Sequence, residues 1–242
     1  MSNKITLFAI DGTGTELQTY VDIFNMCKKE FPVASYKIVT ANKNYENKDN
    51  IEIFNINKLN YKDYQYFCIK NINKYIQTDF AITMQSDGFI HNGKNWTDEF
   101  LNYDYIGEPW IHKTKGIEPF GWVKSISESV GCGGFSLRSK KLLSLCENIE
   151  EKLLSHLIYT LNNNEDIIIS AVLRNYFIEN NCKFCTPELA NQFCAGMTDF
   201  SYDRLNKTFG FHGREYIEKV LSKYEDNHNV NCKDTFNIYK KD

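Results

Sequence analysis

No run of apolar residues in this chain approaches the roughly 18 that a membrane-spanning helix needs, so no transmembrane segment is expected. Basic residues are not in excess either. Twenty-eight Lys and Arg face 31 Asp and Glu, for a formal net charge of −3. That balance argues against a nucleic-acid partner, which calls for a basic surplus. A phosphate-bearing ligand must then be held by local geometry or a metal ion, not by a general positive field. No secretory leader is expected either. The opening MSNKITLFAIDGTG is apolar only from Ile5 to Ile10, has no small-residue cleavage site and ends in Asp-Gly. It reads as a buried first strand, and the expected location is cytoplasmic or peripheral at a membrane. The eight cysteines are scattered and form no disulfide framework. Cys182 and Cys185 have metal-like spacing, but a zinc site wants a second such pair or a His pair, and only Cys194 follows closely. Thiols packed beside a strand are the other reading. There is no internal repeat, low-complexity tract or convincing linker.

What the chain does have is globular. Its 242 residues are 42% hydrophobic, 24% charged and 14% aromatic. A chain of this length buries about 70–75% of its unfolded surface, so it needs no disulfide or metal merely to fold. Strands and helices alternate from the first residue. β runs are expected at Lys4 to Ile10, Tyr36 to Thr40, Ile51 to Phe54, Phe80 to Met84, Tyr103 to Gly107, Phe135 to Leu137 and Thr208 to Phe211. Helical spacing marks Thr15 to Glu30 and Tyr61 to Ile76. Ser139 is placed to cap a helix through Cys146. Further helices are expected over Glu150 to Leu161, Glu165 to Ile178 and Arg214 to Lys223. Ile111 to Val130 reads as a long loop. The alternation argues for an α/β fold with a mainly parallel central sheet flanked by helices. One domain would span residues 1–224, with a polar tail over 225–242. In such sheets ligands gather at the carboxyl ends of strands, which here carry Asp11, Asp87 and Gly107.

Five motifs carry possible chemistry. Gly12-Thr13-Gly14 follows a strand and precedes a helix, but the dinucleotide fingerprint needs a small residue where Leu17 stands. Gln85-Ser86-Asp87-Gly88 ends a buried strand, where Asp87 either closes an Asx turn or supplies an oxygen to Mg2+ or Mn2+. Gly131-Cys132-Gly133-Gly134 permits close backbone approach to a ligand, or marks a hairpin or bulge. Glu165-Asp166 opens an apolar helix, whose dipole favours ionised acids in any case. His212, between glycines at a strand end, suits a metal ligand or a phosphate contact.

In this order the motifs resemble those of GT-A glycosyltransferases that use nucleotide-sugar donors. Gln85-Ser86-Asp87 corresponds to that family's metal-binding acidic motif, and Gly131 to Gly134 to its glycine loop. Asn164-Glu165-Asp166 corresponds to its acid pair, and His212 to its late metal-site histidine. The strings MQSDGFI, YDYIGEPW, GGFSLRS and TFGFHG are similar to a branch of small bacterial-type domains of this kind. Gln85 departs from the usual first Asp. The resemblance implies a GT-A-like single domain and a hexosyltransferase using a nucleotide-sugar donor, UDP being the commonest. The acceptor would be a hydroxyl on a glycan, a lipid-linked sugar or another molecule. It implies Mn2+ (or Mg2+) on Asp87 and His212, and Asp166 as the base of an inverting reaction. The donor would contact Ile10, Asp11, Lys70, Gln85, Ser86, Asp87, Gly133 and Gly134. Glu165 would help bind the acceptor, and Trp110 and Trp122 would stack on sugars unless they serve ordinary packing. A retaining enzyme or a non-catalytic nucleotide- or sugar-binding module of the same fold remains the alternative.

Overall fold

The structure is a computed structural model, and it describes residues 4–45, 50–110, 129–196 and 202–228. The first half runs β1 (Ile5–Asp11), α1 (Leu17–Glu30), β2 (Ser35–Thr40), β3 (Glu52–Asn55), α2 (Tyr61–Lys70) and β4 (Phe80–Met84). There follow β5 (Tyr105–Ile106), β6 (Glu108–Trp110), β7 (Ser129–Gly131), β8 (Phe135–Ser139), α3 (Lys140–Glu147) and α4 (Glu151–Ser155). The last third holds α5 (Glu165–Ile167), α6 (Arg174–Glu179), α7 (Pro187–Phe193), β9 (Cys194–Ala195), α8 (Tyr202–Leu205), β10 (Gly210–Phe211) and α9 (Ile217–His228).

Six strands make the central sheet in the order β3-β2-β1-β4-β8-β5. The first four pair in parallel. β8 runs antiparallel to both β4 and β5. The sheet is therefore mainly parallel, as the alternation of elements implied. All seven residues of β1 are buried, because the strand is covered on both faces. Its side chains alternate between two cores. Ile5, Leu7 and Ala9 join Leu17, Val21 and Phe24 of α1. Phe8 and Ile10 join Phe67 and Cys68 of α2 and Leu143 of α3.

Local signals explain the helix starts. The Asn60 side chain accepts from the Asp63 backbone N–H at the head of α2. Ser139 does the same for Leu142 at the head of α3, as its position implied. The expected helix from Tyr61 to Ile76 ends at Lys70 and gives way to a 3-10 turn over Ile72–Tyr75. The expected helices over Glu150 to Leu161 and Glu165 to Ile178 are each widened by a π-helical segment, at His156–Thr160 and Ile168–Val172. Such widening inserts a residue into a helix and is frequent beside functional sites. α9 continues to His228, past residue 225 where the polar tail was expected to start. Residues 229–242 and most of the long loop, 111–128, lie outside the described residues.

Candidate active site

β1 and β4 lie side by side in parallel, so their carboxyl ends deliver Asp11 and Gln85 to the same edge of the sheet. A cleft of about 380 Å³ opens there. Ile10, Asp11 and Glu16 line it from β1 and the turn that follows. Gln85, Ser86 and Asp87 line it from the end of β4. Leu59, Asn60, Tyr61 and Tyr64 form the wall at the head of α2, and Arg214 closes the remaining side.

Asp11 is fully engaged within the protein. Its Oδ1 accepts from the Gly14 N–H at 2.8 Å and the Thr13 hydroxyl at 3.2 Å, and its Oδ2 accepts from the Thr40 hydroxyl at 2.8 Å. The Asp-Gly-Thr-Gly turn is thus an Asp-closed turn, with Gly14 at φ +78. Glu16 faces the cleft and accepts from the Ser86 hydroxyl at 3.2 Å. Burial raises the Glu16 carboxyl, the Ser86 hydrogen bond opposes this, and the charges of Asp11 and Asp87 add to the rise. Gln85 holds its place through Nε2, which donates to the Tyr64 hydroxyl at 3.1 Å.

A second group of side chains adjoins Asp87. Asp87 and His212, far apart in sequence, stand with Oδ1 and Nε2 3.4 Å apart. Burial would raise the Asp87 carboxyl, but the hydrogen bond and charge of His212 outweigh it and hold it below the ordinary value. On the other side of the ring, His212 Nδ1 lies 3.1 Å from Cys132 Sγ. Burial pulls the His212 imidazole down, yet the charges of Cys132 and Asp87 on either side push it up to about 11. The Cys132 thiol falls well below its usual value, chiefly through a hydrogen bond from Cys194; burial opposes this and the His212 charge reinforces it.

Asp166 sits across the glycine loop. Its Oδ2 accepts from the backbone N–H groups of Cys132 at 3.2 Å and Gly133 at 3.3 Å, and its Oδ1 from Ile167 at 2.8 Å. The dipole argument expected an easily ionised carboxyl here. Instead its value is pushed up to about 7, first by burial, then by the charges of Glu165 and Cys132, against the pull of the Ile167 and Gly133 N–H groups. Burial of the carboxyl outweighs the favourable helix N-terminus behind it.

Four of the sequence expectations meet a different placement. Lys70 does not face the cleft. Its Nζ donates to the Glu147 and Ile149 carbonyls at 2.5 and 2.6 Å, tying α2 to the end of α3. Glu165 is buried, with Oε1 3.3 Å from Arg138 Nη2, and is not presented to an acceptor. Gly133 and Gly134 make room for the protein's own side chains on the side where a Cβ would stand. A Cβ on Gly133 would lie 1.6 Å from Glu165 Oε1, and one on Gly134 would lie 2.1 Å from His212 Nε2. Trp110 lays its indole against Gly131, within 1.7 Å of where a Cβ would stand, so at least one ring face is spent on packing. Trp122 lies outside the described residues.

Ile10, Asp11, Gln85, Ser86 and Asp87 do line the cleft. Glu16, Tyr61, Tyr64 and Arg214 line it too, although no motif marked them. Only Arg214 carried a usable signal, as the cation two residues beyond His212.

The sheet order, the cleft at the ends of β1 and β4 and the glycine loop beside it define a protein of GT-A-like α/β architecture. A crystal structure of an active-site mutant of LgtC has this fold. It matches with a TM-score of 0.57 over 95% of this chain and 98% of that one, at 11% identity. A second structure, described as the galactosyltransferase LgtC in complex with donor and acceptor sugar analogues, covers the same shares at 10% identity with a TM-score of 0.49. Residues 48–212, more than half of the sequence, match the DUF5672 family model, described as a protein of unknown function, and the chain belongs to that family. Comparison with curated protein sequences finds no match.

Proposed function

We propose that the protein is a glycosyltransferase that moves a sugar from a nucleoside diphosphate donor, a UDP-sugar first among them, to a hydroxyl acceptor. The observation that carries this reading is the convergence of Asp87, His212 and Asp166 around one glycine loop beside the cleft. The fold shared with the LgtC active-site mutant supports an enzyme of this class. The nucleoside would lie along Ile10, Asp11 and Glu16, with Tyr61 and Tyr64 as apolar walls. The diphosphate would lie toward Asp87 and Arg214. No described helix is long and apolar enough to cross a membrane.

The donors present fit a divalent ion. Two ligands each about 2.1 Å from one ion stand about 3–3.4 Å apart, the spacing of Asp87 Oδ1 and His212 Nε2. Among the described residues no three His, Cys, Asp or Glu are grouped to hold a metal, so the donor's phosphate oxygens would complete the shell. Mixed carboxylate and imidazole ligation suits Mn2+ or Mg2+, with Mn2+ favoured by the imidazole. Such an ion, when bound, offsets negative charge on the leaving diphosphate. Asp87 and His212 would orient that diphosphate at the cleft edge. Arg214, whose charge is felt by both Asp87 and Glu16, would add a fixed positive group. Asp166 would take the acceptor's hydroxyl proton, which gives inversion at the anomeric carbon. A retaining course is the second reading. It is favoured by the three backbone N–H groups that already hold both Asp166 oxygens, an arrangement suited to orienting substrate. The anomeric configuration of the product separates the two.

A thermal-shift series with nucleoside diphosphates tests the class. A ligand at 100 times its Kd adds about 2.7 kcal/mol, a readily visible rise in Tm. The largest rise is expected for UDP with Mn2+, and His212→Ala should abolish the Mn2+-dependent part. If no nucleoside diphosphate raises Tm, with or without Mn2+, the reading fails.

A further inference from the structure

The residue that holds His212 from behind sits inside the glycine loop, though the sequence marks that loop by its glycines. Cys132 is a non-glycine residue at φ +79, in a loop whose other three members are glycine. A side chain in that conformation costs about 1–2 kcal/mol that glycine would avoid. What the strain carries is specific. Turning the backbone this way presents the Cys132 N–H to Asp166 Oδ2 at 3.2 Å and Sγ to His212 Nδ1 at 3.1 Å. The sulfur has little room to swing elsewhere, because Cys132 is buried. The ring is confined on its own account, since Gly88 and Gly134 both lie against it with no room for a Cβ.

We infer that Cys132 is a positioning residue for His212. Its Sγ accepts from Nδ1–H, which fixes the ring's orientation and turns Nε2 toward Asp87 and the cleft. A histidine that binds a metal through one ring nitrogen is ordinarily oriented by an acceptor at the other, and here that acceptor is a sulfur. The inference rests on the Asp87–His212 site of the proposed function, but its first readout needs neither metal nor donor.

The experiment uses the full chain with Cys132→Gly and Cys132→Ser. Glycine removes the sulfur and also the backbone strain, so a fold at least as stable as wild type is expected. Serine keeps an acceptor. Imidazole 15N NMR of the metal-free protein should show Nδ1 of His212 protonated and hydrogen-bonded in wild type and in the Ser variant, beside the Nε2–H that faces Asp87. In the Gly variant the hydrogen-bonded Nδ1–H signal should be lost. Titration of UDP in Mn2+ should show about tenfold weaker binding for the Gly variant and recovery with Ser. A wild-type His212 bare at Nδ1, or a Gly variant with the wild-type ring state, overturns the inference even if Mn2+-dependent binding survives. If the ring state changes as expected but Mn2+ never affects UDP binding, the positioning stands and the metal site of the proposed function falls.

Discussion

Asp166→Asn is expected to lower turnover by at least about 10²-fold while nucleoside diphosphate affinity stays within a few-fold of wild type. The carboxyl is held by the glycine loop and is not among the cleft-lining residues, so removing its charge should spare donor binding. Its value of about 7 suits a group that must accept a proton near neutral pH. Asn keeps the shape and an oxygen for the Cys132 and Gly133 N–H groups, so the loop should hold. A purely structural Asp166 would instead behave as a cap, with a loss of about 0.5–2 kcal/mol of stability and near-normal turnover. An Asn variant working at close to the wild-type rate would strip Asp166 of catalysis and leave the retaining or pure-binding readings ahead.

The same shift fixes the pH dependence. A base works deprotonated, so kcat/KM should climb with pH through about 7 and flatten above it. The rise should vanish in the residual activity of Asp166→Asn. Folding stability should move the opposite way. A carboxyl whose folded value is raised binds its proton more tightly when folded, so its contribution is full below the ordinary carboxylate range and is lost as pH rises through about 7. A kcat/KM profile that is flat from pH 6 to 8 would contradict the assignment.

Strand ends with glycine beside them were legible from sequence. Asp87 and His212 could be matched because each ends a buried apolar strand, and the register of β1 and β4 then brought Asp11 and Gln85 together. What a glycine makes room for was not legible. Gly133 and Gly134 suggested a donor sugar, but their neighbours are Glu165 and the His212 ring, both supplied by distant segments. Lys70 sits one turn-phase away from the cleft wall. Tyr61 and Tyr64 of the same helix face the cleft, while Lys70 reaches the carbonyls after α3. Periodicity marks an apolar face but not which polar neighbour flanks a ligand. The antiparallel placement of β8 was equally hidden, since it depends on pairing with β4 and β5, not on anything local. α7 was missed although Thr186-Pro187 is a cap followed by a first-turn proline, because its seven residues show too few turns for a periodic signal.

Glu165→Ala should destabilise the fold by about 3–5 kcal/mol, because it leaves a buried charge without its partner. That charge is Arg138, 1% exposed at the side chain, against 5% for Glu165. The other two nitrogens of its guanidinium are also engaged. Its Nε donates to the Ser136 hydroxyl at 3.0 Å and its Nη1 to the Cys68 carbonyl at 3.2 Å, which leaves Nη2 for Glu165 at 3.3 Å. The Tyr105 ring centroid lies 5.9 Å from the guanidinium carbon, too weak a contact to replace a carboxylate. Burial cannot neutralise Arg138, because its proton is held even more firmly than usual; burial pulls the other way, but the charges of Tyr105 and Glu165 prevail. Removing the pair together behaves differently, since two apolar groups of similar size carry no desolvation penalty. Arg138→Met with Glu165→Leu should therefore recover much of the stability that Glu165→Ala loses. Urea unfolding of the three variants measures this, with the midpoint as the readout at constant slope. The double variant should also report on catalysis, because Gly133 packs on Glu165 and carries one of the N–H groups that hold Asp166. A Glu165→Ala midpoint close to wild type, together with weakened acceptor use, would return Glu165 to the sugar-binding role that its sequence position first suggested.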